Sequence, residues 1–167
     1  MGSPSLSIDL ITDPLKGKTF HMEEQNCLHT VRGFFDLNTT TVRISDWACP
    51  AMWWHEGLDL FREIAHDEGF RLFNGPPSEY QVGDVPLMAL GSAVGNHIGV
   101  ILPGTKLLHH MIGTLSRVDT YGGSFRNNTV AVYRHPDVSF VSKTTTMTLS
   151  EVLRPNERAK LEKYFAR

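Results

Sequence analysis

This 167-residue sequence has few cysteines and only a small excess of charge of one sign. Its two cysteines lack CxxC spacing, so they fit a reduced protein or a thiol kept for its chemistry better than a disulfide framework. Sixteen basic and eighteen acidic residues give a net charge of −2, which provides no basic field for a phosphate backbone. The composition therefore argues against nucleic acid as a partner and for one globular domain.

Long apolar runs of the kind that cross a membrane are also missing. Residues 85–105 lack Asp, Glu, Lys and Arg, but several glycines and prolines and the polar Asn96 and His97 interrupt them. Such breakers favour buried strands over a membrane helix. Residues 1–14 have no basic segment before an apolar block, so we expect neither a secretory signal nor a membrane span.

The spacing of hydrophobic residues predicts helices first and strands afterwards. Asn26 is a good N-cap for a helix that begins at Cys27, and residues 51–69 carry a second helical stripe that Gly69 ends. After this helix the hydrophobic residues recur about every second position, which is typical of strands. The predicted strands are 84–90, 97–102, 106–112 and 129–134. This order indicates an α+β fold with a small antiparallel sheet.

Three segments are predicted along the chain. An N-terminal arm covers residues 1–16, and the central domain covers residues 17–136. A C-terminal extension covers residues 137–167, with a helix over 149–167 that is interrupted near Pro155.

Cys27 is the first candidate for chemistry because it lies at the predicted first turn of a helix. Backbone amides and the macrodipole at a helix N-terminus stabilise thiolate over thiol, which lowers the thiol pKa and makes the cysteine nucleophilic. A buried structural cysteine explains the same position without any chemistry. The sequence leaves both interpretations open.

His97 and His109 are the second candidate feature, because a turn at Pro103-Gly104-Thr105 separates two strand-like segments. A hairpin centred on residue 103 would pair His97 with His109, and directly opposed side chains share one face of the sheet. Gly99 would leave that face open to a ligand or to backbone, and His110 would point the other way. A pair of core histidines is the alternative to a catalytic pair.

Together, Cys27, His97 and His109 can supply the three roles of a thiol hydrolase. The thiol needs a base within hydrogen-bond reach, and the base needs a third polar group that fixes its tautomer. A metal site built from these residues with His110 or Cys49 is less favoured, because adjacent histidines on a strand project to opposite faces. We expect no metal and no cofactor.

Several local patterns, in this order and over about residues 17–136, resemble one family. They are Trp53-Trp54, Gly57-Leu58-Asp59-Leu60, Gly69-Phe70-Arg71, Val82-Gly83-Asp84-Val85-Pro86-Leu87-Met88, Asn96-His97-Ile98-Gly99-Val100, Leu107-Leu108-His109-His110, Leu115-Ser116-Arg117, Tyr121-Gly122-Gly123 and Val132-Tyr133-Arg134-His135. The chain is similar to the NlpC-type (NlpC/p-sixty) cysteine peptidases, and in particular to their phage tail branch. The resemblance implies a papain-like fold in which a helix-borne cysteine packs on a small antiparallel sheet.

The resemblance also implies an activity and a setting. The activity is hydrolysis of a peptide bond in the peptidoglycan stem, with Cys27 as nucleophile, His97 as base and His109 as the orienting group. The N–H of Cys27 would contribute to the oxyanion hole. The implied partners are the stem peptide and other phage tail-tip proteins, and the implied place is the virion tail, which is assembled in the host cytoplasm.

The residues around Cys27 depart from the family pattern. Asn26 replaces the usual Asp, and Leu28 and His29 replace a small residue and a glycine. Met22 stands where many members place a tyrosine hydroxyl, and losing one oxyanion donor costs on the order of 10²–10³ in rate. The alternative is therefore a structural tail-tip component that keeps the peptidase fold with weak or no catalysis. An amidase or acyl transferase would use the same three residues on another substrate.

Overall fold

An antiparallel sheet and three α-helices carry the fold of residues 9–141, the part of the chain that the computed structural model describes. Residues 1–8 of the predicted arm and the predicted helix over 149–167 lie outside the described residues. The helices are α1 (Cys27–Asn38), α2 (Leu60–Asp67) and α3 (Gly123–Asn127), and short 3-10 helices cover Asp13–Leu15, Trp53–Glu56 and Pro77–Glu79. The strands are β1 (Arg71–Leu72), β2 (Val85–Met88), β3 (His97–Leu102), β4 (Lys106–His109), β5 (Arg117–Thr120) and β6 (Thr129–Arg134). The predicted α+β class is confirmed.

The strands of this described region form one sheet in the order β1-β6-β2-β3-β4-β5, with every pairing antiparallel. Strands β2 to β5 follow one another as a meander, and β6 returns to lie between β1 and β2. Helix α1 packs on β3 and β4, where Val100 and Leu108 join its buried side chains in the main core. Ile101 and Leu107 alternate with them and form a smaller core against Phe125 of α3.

Helix α1 begins where the sequence predicts, because Asn26 caps it. The side-chain oxygen of Asn26 accepts the N–H groups of Leu28 at 2.9 Å and His29 at 3.3 Å. Its side-chain amide donates to the carbonyl of Met22 at 2.6 Å, which fixes the approach to the helix. Cys27 is thereby held as the first residue of α1, with its helix packed on the sheet.

Residues 51–69 contain two helices, so the single helix predicted there was wrong. Gly57 adopts a left-handed conformation with φ of 71° and donates its N–H to the carbonyl of Trp54 at 3.2 Å, which ends the 3-10 helix. Helix α2 starts afresh after Asp59. Gly69, predicted as the stop, follows the end of α2 with φ of 82°.

The strand predictions succeeded best where apolar alternation is strongest. Strands β3 and β6 match their predicted ranges, and β2 lies inside its own. Strand β4 ends at His109 rather than at residue 112, because a turn closed by the N–H of Thr114 and the carbonyl of Met111 follows it. Strands β1 and β5 were not predicted, since one has two residues and the other exposes both of its ends.

The register of the β3–β4 hairpin differs from the prediction by two residues. Gly99, not His97, lies opposite His109, and the turn carries positive φ at both Gly104 (72°) and Thr105 (55°). This three-residue loop moves the centre of the hairpin to residue 104. A shift of two residues preserves the alternation of faces, so His97 and His109 remain on one face as diagonal neighbours.

Gly99 admits backbone and does not open the face of the sheet to a ligand. A Cβ atom at this position would lie 2.6 Å from Cδ1 of Leu107 and 2.8 Å from the carbonyl oxygen of Leu108. Glycine therefore allows β4 to approach β3 closely beside the two histidines.

The described flanking segments pack on the central domain near the end of α1. The side chain of Asn38 accepts the N–H of Ile11 at 2.6 Å and donates to its carbonyl at 3.0 Å. Phe140 forms a bridge with Thr39 and packs edge-on against Phe34. The three-segment division itself stays a prediction.

Within residues 9–141 no helix is both long and apolar enough to cross a membrane.

Candidate active site

A cavity of about 210 Å³ lies at the N-terminal end of α1. Both Cys27 and His97 line it. Its remaining lining residues are mainly apolar or aromatic: Phe20, Met22, Asn26, Cys49, Trp53, Trp54, Phe61, Leu90, Asn96, His110, Met111 and Ile112. Since this described lining contains no carboxylate, ammonium or guanidinium, any proton chemistry there depends on thiol and imidazole groups.

The thiol of Cys27 is buried, with 7% of the residue exposed. The pKa of this thiol is raised from 9.0 to about 11, because the effect of burial is larger than the opposing effect of hydrogen bonds from nearby backbone amides. The predicted lowering of the pKa at the helix N-terminus was therefore wrong, because desolvation outweighs the helix end. The cap accepts the N–H groups of Leu28 and His29 and leaves the N–H of Cys27 outside its bonds.

His97 links the cavity to the interior of the sheet. Its Nε2 lies 3.0 Å from Nδ1 of His109, and the pairing is buried. Burial, with smaller contributions from the nearby His109 and His110, lowers the pKa of His97 to about 3, so the ring is neutral at pH 7. Its other nitrogen, Nδ1, forms no hydrogen bond among the described residues. Among the described residues no hydrogen bond joins this ring to the thiol of Cys27, so the resting groups are a thiol and a neutral imidazole.

His109 continues the chain of polar groups across the sheet. Its Nε2 lies 3.0 Å from Oδ2 of Asp119, and Nε of Arg117 donates to the same oxygen at 2.7 Å. The ring of Phe125 packs edge-on against the imidazole at 4.8 Å between centroids. Burial lowers the pKa of His109, although Asp119 opposes that shift. Burial raises the pKa of Asp119, but the hydrogen bonds from Arg117 and His109 outweigh it, so the carboxyl group is ionised.

The sequence analysis missed Asp119 and Arg117. Both lie on β5, which was not predicted, and their spacing of two residues puts them on one face. Strand β5 pairs with β4, and this pairing places Arg117 opposite His109 and Asp119 opposite Leu107. An ion pair at this spacing after a predicted histidine strand is the signal that could have found them.

His110 and Cys49 occupy the cavity wall without joining this chain. Nε2 of His110 lies 3.0 Å from the carbonyl of Thr114, and its ring packs edge-on against Phe20 at 5.2 Å between centroids. Cys27 and Cys49 are both free and line the same cavity, although their positions in the sequence gave no sign of it. Within residues 9–141 no cluster of three or more His, Cys, Asp or Glu could hold a metal ion.

Comparison with known proteins points to phage tails. The chain is 32% identical over 127 residues to the tail tip assembly protein K of Escherichia phage N15, covering 75% of this chain and 51% of that protein. It is 29% identical over 121 residues to the tail tip assembly protein K of Escherichia phage lambda, covering 72% of this chain and 59% of that protein. The chain thus spans little more than half the length of these curated relatives. No family model and no solved structure matches the chain.

Proposed function

We propose that this protein is a phage tail-tip component whose cavity hydrolyses a peptide bond of the host peptidoglycan stem. Cys27 acts as nucleophile, His97 as base and His109 as the orienting group. The observation that carries the proposal is the 3.0 Å contact between the rings of His97 and His109, made by an imidazole that shares its cavity with Cys27 at the start of α1. A nucleophile, a base and a third polar group are the parts that thiol hydrolysis needs.

The named relatives support a tail setting for this protein. Two proteins called tail tip assembly protein K, from phages N15 and lambda, align with about three quarters of the chain. The protein accordingly belongs in the tail of a virion, where its partners are other tail proteins. Peptidoglycan is the barrier that a tail tip meets, so a stem peptide is the substrate that joins this setting to a thiol hydrolase.

The reaction proceeds through an acyl-enzyme. Nδ1 of His97 takes the proton from Sγ of Cys27 as the sulfur attacks the carbonyl carbon of the scissile bond. The N–H of Cys27, left outside the helix cap, stabilises the oxyanion. His97 then gives its proton to the leaving amine, the C–N bond breaks, and a thioester remains. Water, deprotonated by His97, hydrolyses the thioester and the proton returns to the sulfur.

The test is digestion of purified peptidoglycan by the wild type and by Cys27→Ala, with released fragments identified by mass spectrometry. Cys49→Ala is the matched control, because it removes the other thiol that lines the cavity. We expect fragments from the wild type and Cys49→Ala only, with masses that identify the cleaved bond. Equal release by Cys27→Ala would contradict the assignment of the nucleophile.

A second candidate is a structural tail-tip component that keeps this fold without catalysis. The observation that favours it is the buried thiol of Cys27, whose pKa is raised to about 11 and which forms no hydrogen bond with His97 among the described residues. Such a thiol is protonated at pH 7 and needs substrate to bring it to its base. Folded wild-type protein that releases no fragments would support this candidate.

A further inference from the structure

We propose that Asp119 is a positioning residue that fixes the tautomers of His109 and His97 in series, so that the lone pair of Nδ1 of His97 faces the cavity. The proposal deepens the proposed function, because it adds a fourth member to the chain behind Cys27. It stands on three contacts: Arg117 to Asp119 within β5, Asp119 to His109 between β5 and β4, and His109 to His97 between β4 and β3.

The carboxylate settles the tautomer of His109. Asp119 is ionised, so both of its oxygens can only accept hydrogen bonds. The contact of 3.0 Å between Oδ2 and Nε2 of His109 therefore requires the proton on Nε2. Since His109 is neutral, its Nδ1 carries a lone pair and can only accept.

The same reasoning passes to His97. Nδ1 of His109 accepts at 3.0 Å, so Nε2 of His97 must hold a proton and donate it. His97 is also neutral, which leaves its Nδ1 unprotonated. This is the nitrogen that a base needs in order to take the proton of Cys27. When His97 becomes positively charged, His109 still accepts a hydrogen bond from it. The negative charge of Asp119, on the far side of the His109 ring, stabilises the new positive charge.

The surroundings of the chain supply no competing acceptor with a negative charge. Besides His109, the imidazole of His97 lies near His110 and shares its cavity with Cys27, and burial disfavours the charged form of both of these side chains. His110 bonds to the carbonyl of Thr114 and not to this chain. In the described part of the protein, Asp119 is thus the only carboxylate hydrogen-bonded to the histidine pair.

Arg117 holds Asp119 in place without entering the chain. Its Nε donates to Oδ2 at 2.7 Å, and the two side chains are 50% and 31% exposed. The exposed ion pair is worth little in stability by itself. Its effect is orientation, because it keeps an oxygen of Asp119 against His109.

The first measurement is the nitrogen-15 NMR spectrum of the full chain labelled in histidine, with His97→Gln used to assign signals. We expect both His97 and His109 to be protonated on Nε2 and unprotonated on Nδ1. A wild-type His97 protonated on Nδ1 would overturn the inference. This result needs no substitution at Asp119, so a variant that fails to fold cannot leave the question open.

The second measurement compares Asp119→Asn with the wild type and with Asp36→Asn, an exposed carboxylate on α1. In Asp119→Asn the Nε2 proton of His109 should move to lower frequency, because a neutral acceptor makes a weaker bond. On soluble peptidoglycan fragments kcat should fall about tenfold to a hundredfold with KM unchanged, since the carboxylate acts on the base through a second ring. Asp36→Asn should match the wild type.

The two proposals fail in different ways. Expected tautomers in a wild type that releases no fragments would leave the role of Asp119 standing and refute hydrolysis. Hydrolysis by Asp119→Asn at the wild-type kcat would refute the role of Asp119 and leave hydrolysis standing.

Discussion

Acid should destabilise this protein through His97 more than through any exposed histidine. The structure buries the ring in the neutral form and lowers its pKa from 6.5 to about 3. The unfolded chain takes up a proton on His97 as the pH falls below 6.5, while the folded chain does not. Stability from this group is therefore complete above pH 6.5 and is lost progressively towards pH 3.

The magnitude follows from the gap between the two states. At pH 4 the unfolded histidine is fully protonated and the folded one is still neutral, so the loss relative to pH 7 is about 3 kcal/mol. His109 and His110, whose pKa values burial also lowers, add losses of the same sign. A His97→Gln variant keeps the losses of stability that come from His109 and His110 and removes only the loss that comes from His97.

Urea unfolding followed by tryptophan fluorescence at pH 7 and pH 4 measures the effect. The free energy of unfolding should fall by about 3 kcal/mol less in His97→Gln than in the wild type. His66→Gln is the matched control because that side chain is 89% exposed, and it should behave as the wild type does. Equal losses in the wild type and in His97→Gln would show that His97 titrates normally, and the neutral buried base would be refuted.

Three further substitutions, two of them with a second variant as control, test individual contacts of the fold by urea unfolding. Arg134→Met should lower the free energy of unfolding by about 3 kcal/mol, because it leaves the Asp84 carboxylate, 1% exposed, without its partner; a further Asp84→Asn should recover much of the loss. Gly99→Ala should cost about 1–3 kcal/mol through the contact of its Cβ with the Leu108 carbonyl, and an unchanged stability would contradict that close approach. Asn26→Ala should cost about 1 kcal/mol as the helix cap is lost, whereas Asn26→Asp should cost little.

The sequence predicted the elements whose signals are local. Asn26 marked the start of α1, and apolar alternation marked β3 over its full length. The shared face of His97 and His109 was also predicted, although the register was wrong, because it depends only on the parity of the shift. The exact register depended on a positive φ at Thr105, a conformation that its residue type does not signal.

The features that the sequence did not reveal depend on tertiary contacts. Strand β5 has no apolar alternation, so the ion pair of Arg117 and Asp119 had no predicted neighbour. The division of residues 51–69 into two helices depended on the left-handed conformation of Gly57. The spacing of the apolar residues continues past Gly57 and gives no sign of this break. The pKa of Cys27 was predicted from its place at a helix end, but the depth of its burial decided the sign.

The two halves of the candidate site are prepared to different degrees. The proposed base, His97, is linked through His109 to the ionised carboxylate of Asp119 by a continuous chain of hydrogen bonds before any substrate binds. The proposed nucleophile is not prepared in this way, because burial keeps the proton on Cys27. A thiol that stays protonated resists oxidation and alkylation when no substrate is bound, since both reactions need the thiolate. Hydrolysis would then begin only when a bound peptide brings its carbonyl to the sulfur and the proton moves to His97 in the same step, which ties the reactivity of the thiol to occupation of the cavity.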